Sequence, residues 1–152
     1  MTIQYRASGL SNNSAHMQAF GNAVLEHDRT VVPIALALNN TIDLLRIAGG
    51  TKLITVWKTN GDFDTGVLLQ YSLGFRRANS DGVLAPSVAY FGSALTDLQA
   101  PVTGSVPTRY AFAPITFDED VFITATITAA AAGQTGAQGI DMFAYGIARG
   151  IR

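Results

Sequence analysis

Cysteine, histidine and charged residues are all scarce in this 152-residue chain. It has no cysteine, so neither a disulfide nor a thiolate metal site can form. Charged residues make up 14% of the chain, 10 basic against 11 acidic. Nucleic-acid-binding proteins usually carry a basic excess, because neutralising phosphates supplies most of their affinity. Nucleic acid is therefore not an expected partner.

The low charge content also says something about the surface. Lys and Glu are depleted at protein–protein interfaces relative to other surfaces. We therefore expect other subunits to cover much of this protein. The composition leaves one alternative open, in which Thr, Ser, Asn and Gln solvate the surface instead.

Long apolar runs are missing as well. A membrane-spanning helix needs about 20 consecutive apolar residues, and the sequence has no such run. The first residues lack a basic segment followed by an apolar one, so no signal peptide is expected. We predict no membrane partner and synthesis in a cytoplasm.

The residues that usually carry catalysis do not form a recognisable set. His16 and His27 are the two histidines, both near the start, whereas a metal-binding jelly roll of the cupin kind needs a cluster of His ligands inside its barrel. The nucleophile motif Gly-x-Ser-x-Gly is absent. The glycines of residues 133–139 precede a strand pattern, unlike a phosphate-binding loop, which opens a helix. We predict no enzymatic activity, no catalytic residue and no cofactor.

Two loops carry clustered carboxylates. Asp62 and Asp64 lack the further ligands of an EF-hand, and Asp side chains that cap backbone N–H groups explain this loop better. Asp118, Glu119 and Asp120 are expected to form a solvated turn. We predict no metal ligand, although a joint cation site remains open if the two loops meet in space.

The chain from residue 29 onward has the pattern of β-strands. Apolar residues occupy every second position from 67 to 75, which predicts a strand with one face buried. Its inward side chains would be Val67, Leu69, Tyr71, Leu73 and Phe75. Residues 51–59 are apolar on both faces, which favours a core position for Trp57. Pro33 indicates an edge strand, and residues 86–98 are predicted to contain one short helix with Ser87 as its cap.

Seven or eight strands separated by turn signals predict an all-β fold, a jelly-roll-like β-sandwich. Residues 1–28 have no period of 2 or 3.6 and only scattered apolar residues. We interpret them as an extended N-terminal arm, followed by a β-sandwich domain over residues 29–152.

Several of these features resemble the head decoration, or cement, proteins of tailed bacteriophages. The resemblance covers about three-quarters of the chain, from Pro33 to Arg149. It is carried by Gly-Asp-Phe-Asp-Thr-Gly-Val-Leu-Leu at 61–69, the Asp81–Gly82 loop, Ala-Tyr-Phe-Gly-Ser-Ala at 89–94, and the Thr/Ala-rich strand from residue 123 that leads into a Gly-rich hairpin.

The resemblance implies a virion protein on the capsid surface. Its partners would be the major capsid protein and further copies of itself, as a homodimer or homotrimer. Candidate partner-contact residues are apolar residues of the arm and the adjacent basic pair, namely Tyr5, Leu10, Met17, Phe20, Arg76 and Arg77. Two alternatives remain open: a tail or head–tail connector component, and a carbohydrate-binding β-sandwich.

Overall fold

The computed structural model describes residues 4–6, 23–102 and 107–149, and this part of the chain forms ten strands. They are β1 (Gln4–Arg6), β2 (Ala23–Val32), β3 (Thr41–Ile47), β4 (Thr51–Asn60), β5 (Gln70–Arg77), β6 (Ser87–Leu95), β7 (Thr108–Tyr110), β8 (Ile115–Phe117), β9 (Val121–Ala129) and β10 (Gln138–Ala148). Within these residues, no helix is long and apolar enough to cross a membrane.

The strands form two facing sheets. Sheet I has the order β1-β3-β9-β5-β6, and sheet II has the order β2-β10-β4-β7, with β8 also paired to β4. Successive strands lie in opposite sheets from β2 to β5 and again from β8 to β10. This alternation is the jelly-roll arrangement. Because β7 and β8 pair with successive parts of β4, they act as one interrupted strand. The predicted all-β jelly-roll-like sandwich is confirmed, with ten strands in the described residues where the sequence predicts seven or eight.

The core lies between the sheets and is built from alternate residues of each strand. On β5 and β9 the inward positions are apolar and fully buried, including Leu73 and Ile123. Phe75 packs its ring edge-on against Phe91 and Phe117. The inward alternation predicted from Val67 to Phe75 is confirmed from Leu69 onward and is wrong for Val67, which precedes β5 and is 78% exposed.

Three local predictions need correction. β2 begins at Ala23, so residues 23–28 lie in a strand although the sequence analysis placed them in the arm. The strand ends at Val32, just before Pro33, although the alternating apolar residues at positions 34, 36 and 38 predict that it continues to residue 38. Residues 87–95 form the edge strand β6 and not a helix, because their apolar side chains complete the core beside β5. The division into arm and domain otherwise stays a prediction.

The prediction that Trp57 lies in the core is wrong. The pairing of β4 with β10 shifts at Ile54, since Thr55 pairs with Tyr145 and Leu53 pairs with Gly146. This β-bulge reverses the alternation, so that Leu53 and Val56 both point inward. Trp57 is consequently half-buried on the outer face of sheet II.

Candidate interaction surfaces

Three loops meet at one end of the sandwich, which we call the apolar end: residues 33–40, 61–69 and 130–137. Backbone hydrogen bonds join them, from Ala131 N to Leu36 O (2.9 Å) and from Thr65 N to Gly133 O (2.9 Å). These loops contain no Lys, Arg, His or Glu. The apolar end is therefore a single surface with very little charge.

Asp64 holds the apolar end together. Its side chain is buried and accepts hydrogen bonds from four backbone N–H groups, those of Gly66 (3.1 Å), Leu68 (2.8 Å), Leu69 (2.7 Å) and Ala132 (2.8 Å). Burial raises the pKa of Asp64, but these four donors outweigh burial and leave the pKa below its ordinary value. The predicted role of an Asp cap in this loop is confirmed.

Apolar side chains project from this rigid end. Four are largely exposed, at Ile34 (53%), Leu38 (56%), Val67 (78%) and Leu68 (60%). The backbone N–H of Leu68 is bound to Asp64, and Gln99 Nε2 donates to Val67 O at 3.1 Å. The exposed apolar groups are thus presented by a fixed backbone.

The opposite end of the sandwich, the carboxylate end, comprises residues 48–50, 78–84 and 118–120. Asp120 accepts the N–H of Gly49 (2.8 Å) and pairs with Arg46, while Glu119 accepts the N–H of Leu84. Burial raises the pKa of Asp120. The hydrogen bond from Gly49 and the charge of Arg46 lower it by a larger amount, so the pKa lies below its usual range. Asp81, Gly82 and Glu119 line an open cleft of about 570 Å³.

The two acidic loops do not meet. Asp64 lies beside the end of β9 through Ala132, whereas Asp120 directly precedes the start of β9, so the full length of that strand separates them. In residues 4–6, 23–102 and 107–149, no three His, Cys, Asp or Glu side chains form a group able to hold a metal ion. A joint cation site between the loops, which the sequence left open, is therefore excluded.

A row of three stacked rings crosses the outer face of sheet II. Phe143 on β10 stacks on His27 of β2, with ring centroids 4.4 Å apart at 19°, and on Trp57 of β4, with centroids 5.7 Å apart at 4°. Asp141 accepts from His27 (3.2 Å) and Arg29 (3.4 Å) beside this row. A platform for bases or sugars needs an open aromatic face, and here both faces of Phe143 are turned toward neighbouring rings.

The predicted partner-contact residues divide into two groups. Leu10, Met17 and Phe20 lie outside the described residues, and Tyr5 belongs to β1, which pairs in parallel with β3. The structure places both arginines at the end of β5. The expectation that these six residues contact a partner stays a prediction.

Both arginines have internal partners. The Arg76 guanidinium binds the fully buried Asp43 through two hydrogen bonds and lies 4.7 Å from the centre of the Phe122 ring. Arg77 donates to the carbonyl oxygen of Gly82. Each arginine therefore contributes to the structure of its own subunit, in addition to any contact with a partner.

The sequence analysis missed one buried polar cluster, formed by Lys58, Asp97, Tyr71 and Tyr110. Lys58 Nζ lies 3.0 Å from Asp97 Oδ2, and each tyrosine hydroxyl donates to Asp97, at 2.7 Å from Tyr71 and 2.9 Å from Tyr110. Burial lowers the pKa of Lys58 and raises that of Tyr71. These groups satisfy one another and join β4, β5 and β7 to the segment after β6.

No protein-family model and no curated protein matches this sequence. Solved structures with the same fold do exist. A chain in the capsid of Ralstonia phage GP4 aligns over 100% of both chains, with 14% identity and a TM-score of 0.70. A chain in the cyanophage Pam1 capsid asymmetric unit aligns over 92% of this chain and 96% of its own length, with 15% identity and a TM-score of 0.62.

A third chain comes from the acidic stable capsid structure of Helicobacter pylori bacteriophage KHP30. It aligns over 82% of this chain and 87% of its own length, with 16% identity and a TM-score of 0.50. All three similarities are to chains in phage capsid structures. At these identities they show a shared fold.

Proposed function

We propose that this protein is a decoration, or cement, protein of a tailed bacteriophage. It binds the major capsid protein on the outer surface of the expanded head and stabilises the head through non-covalent contacts. The observation that carries the proposal is the similarity over the whole length of both chains to a chain in the capsid of Ralstonia phage GP4. As a structural part of the virion, the protein needs no catalytic site.

The surface of the described residues fits such a role. A preorganised apolar surface with little charge can be buried against a partner at a low cost of desolvating charges and of ordering loops. The row of stacked rings on sheet II counts against Phe143 as a platform for a carbohydrate, because its ring already stacks with His27 and Trp57. A connector or tail component remains the alternative that an experiment must distinguish.

The test is co-sedimentation of the purified protein with expanded capsids that lack it, counting bound copies per shell. Saturation at hundreds of copies is the expected result. Binding of a dozen copies or fewer would assign the protein to a vertex, connector or tail. No binding to the shell would overturn the proposal.

The arm is proposed to strengthen this binding through Tyr5, Leu10, Met17 and Phe20. Because β2 begins at Ala23, deletion of residues 2–22 leaves that strand intact and removes, of the described strands, only the three-residue edge strand β1. We expect the shortened protein to fold and to bind capsids more weakly. Unchanged affinity would contradict a role of the arm in binding.

The second partner that we propose is a further copy of this protein, in a homodimer or homotrimer. A closed symmetric dimer or trimer is the usual form of a homo-oligomer. Light scattering of the purified protein is expected to give two or three times the mass of one chain. A monomer at all concentrations, including those used for capsid binding, would contradict this part of the proposal.

A further inference from the structure

The molecule has two ends of opposite character. The loops of the apolar end expose Ile34, Leu38, Val67 and Leu68 and contain no basic residue. The carboxylate end carries Asp81, Asp118, Glu119 and Asp120 in its loops. Strands β3, β5 and β10 all run from the first end to the second, so the two surfaces are separated by the length of the sandwich.

We propose that the apolar end is the surface that binds the capsid shell, and that it binds an uncharged, apolar patch on that shell. This inference rests on the proposed function and adds the orientation of the subunit and the chemistry of its partner. The carboxylate end then faces solvent.

The first physical reason is the cost of desolvation. Removing a charged group from water costs several kcal/mol unless an opposite charge compensates it, as a general rule. Asp64 is already buried and bound to four backbone N–H groups, so covering the apolar end adds no such cost for it, and the one other carboxylate of these loops, Asp62, is already half-buried. Covering the carboxylate end would desolvate the exposed Asp81 and Asp118.

The second reason is preorganisation. Binding that must order a flexible loop loses affinity to conformational entropy. At the apolar end, Asp64 and the cross-loop hydrogen bonds of Ala131 and Thr65 already fix the three loops. Val67 and Leu68 follow directly on the backbone that Asp64 holds.

The third reason concerns the match of charges. A negatively charged patch of the shell would be left desolvated and without a partner, because this end has no Lys or Arg, and a positively charged patch could meet only the half-buried Asp62. An uncharged apolar patch meets no such penalty. The occupant that the surface fits best is therefore an apolar region of the shell.

The experiment compares capsid binding by Val67→Asp and Leu38→Asp, which lie on two different loops of the apolar end. Both residues are more than half exposed, so neither change should disturb the fold. The matched control is Val83→Asp, because Val83 is 96% exposed on a loop of the carboxylate end. Thermal melting of each variant checks its stability.

We expect each change at the apolar end to weaken binding on the order of 100-fold, as for a charge buried in an apolar contact. Val83→Asp should change binding less than about threefold. Val67→Lys should weaken binding as Val67→Asp does. Tighter binding of the Lys variant would overturn the uncharged-patch claim by indicating an acidic partner.

Other outcomes also decide the matter. If the wild type binds and both apolar-end variants bind equally well, this inference fails while the proposed function stands. If the variants keep capsid binding but lose self-association in sedimentation velocity, the apolar end is an interface between copies, which also overturns the inference. Absence of binding by the wild type overturns the proposed function itself.

Discussion

At the residue scale, the buried polar groups are matched to specific partners. Lys58 is 1% exposed and depends on Asp97 for a compensating charge, while Asp97 also receives two tyrosine hydroxyl groups. Removing one partner of a buried ion pair is far more destabilising than replacing both partners by apolar residues, because the remaining charge stays buried without compensation. The two members of this pair should therefore respond differently to substitution.

We expect Asp97→Asn to destabilise the fold by about 3–5 kcal/mol, because it leaves the Lys58 ammonium buried without a carboxylate. Lys58→Met should cost only about 1–2 kcal/mol, since the partly exposed Asp97 keeps both tyrosine donors. Urea denaturation at neutral pH gives both values. A larger loss for Lys58→Met than for Asp97→Asn would contradict this explanation.

Asp64 gives a prediction on pH. Its pKa is lower in the folded state than in the unfolded chain, so its contribution to stability is present above about pH 4 and is lost as the pH falls through the folded value. We expect Asp64→Asn to cost roughly 2–4 kcal/mol at neutral pH. The difference in unfolding free energy between Asp64→Asn and the wild type should become smaller as the pH falls below about 4.

Asp62→Asn is the matched control, because Asp62 accepts a single backbone N–H, that of Asp64, at 3.1 Å. It should cost about 1 kcal/mol or less. Unfolding free energies at pH 7 and near pH 3 test the pair. An Asp64→Asn difference that is the same at both pH values would rule out the carboxylate as its source.

At the element scale, close approach of strands explains one glycine. A Cβ at Gly74 of β5 would overlap the carbonyl oxygen of Ser87 and the backbone of Val88 on β6. Backbone atoms of a paired strand cannot move aside as a flexible side chain can. Gly74 is therefore required for β6 to complete sheet I.

We expect Gly74→Ala to destabilise the protein by about 3 kcal/mol or more, with loss of hydrogen-exchange protection in β6. Gly136→Ala is the control: Gly136 has φ of 72° and no neighbouring atom within 4 Å of a Cβ. It should cost about 1 kcal/mol through backbone strain alone. Equal effects of the two changes would show that β6 does not need this close approach.

At the scale of the whole molecule, the polarity of the sandwich predicts how capsid binding responds to salt. Ion pairs weaken when salt shortens the Debye length, whereas apolar contacts do not. If the apolar end binds the shell, affinity should change less than about threefold between roughly 0.05 and 0.5 M NaCl. A loss of about tenfold or more over that range, measured by co-sedimentation, would indicate an ionic interface instead.

Much of this architecture follows from the sequence alone. The alternation from Leu69 to Phe75 fixes which face of β5 is buried, because side chains in a strand alternate every two residues. The absence of cysteine and the spacing of turn residues favour a sandwich stabilised by its apolar core. Asp64 could also be placed from the sequence, since Asp in a Gly-rich loop commonly caps backbone N–H groups.

Tertiary structure decided the rest. The bulge at Ile54 moved Trp57 to the outer face, because pairing with β10 sets the register locally. In the run from Val67 to Leu69, only Leu69 turns inward, since Asp64 bends the backbone before β5 begins. Lys58 and Asp97 lie 39 positions apart in the sequence and become partners only when β4 packs beside the segment after β6. Local pattern determines a strand and its faces, whereas long-range pairing determines register, buried partners and the separation of the two ends.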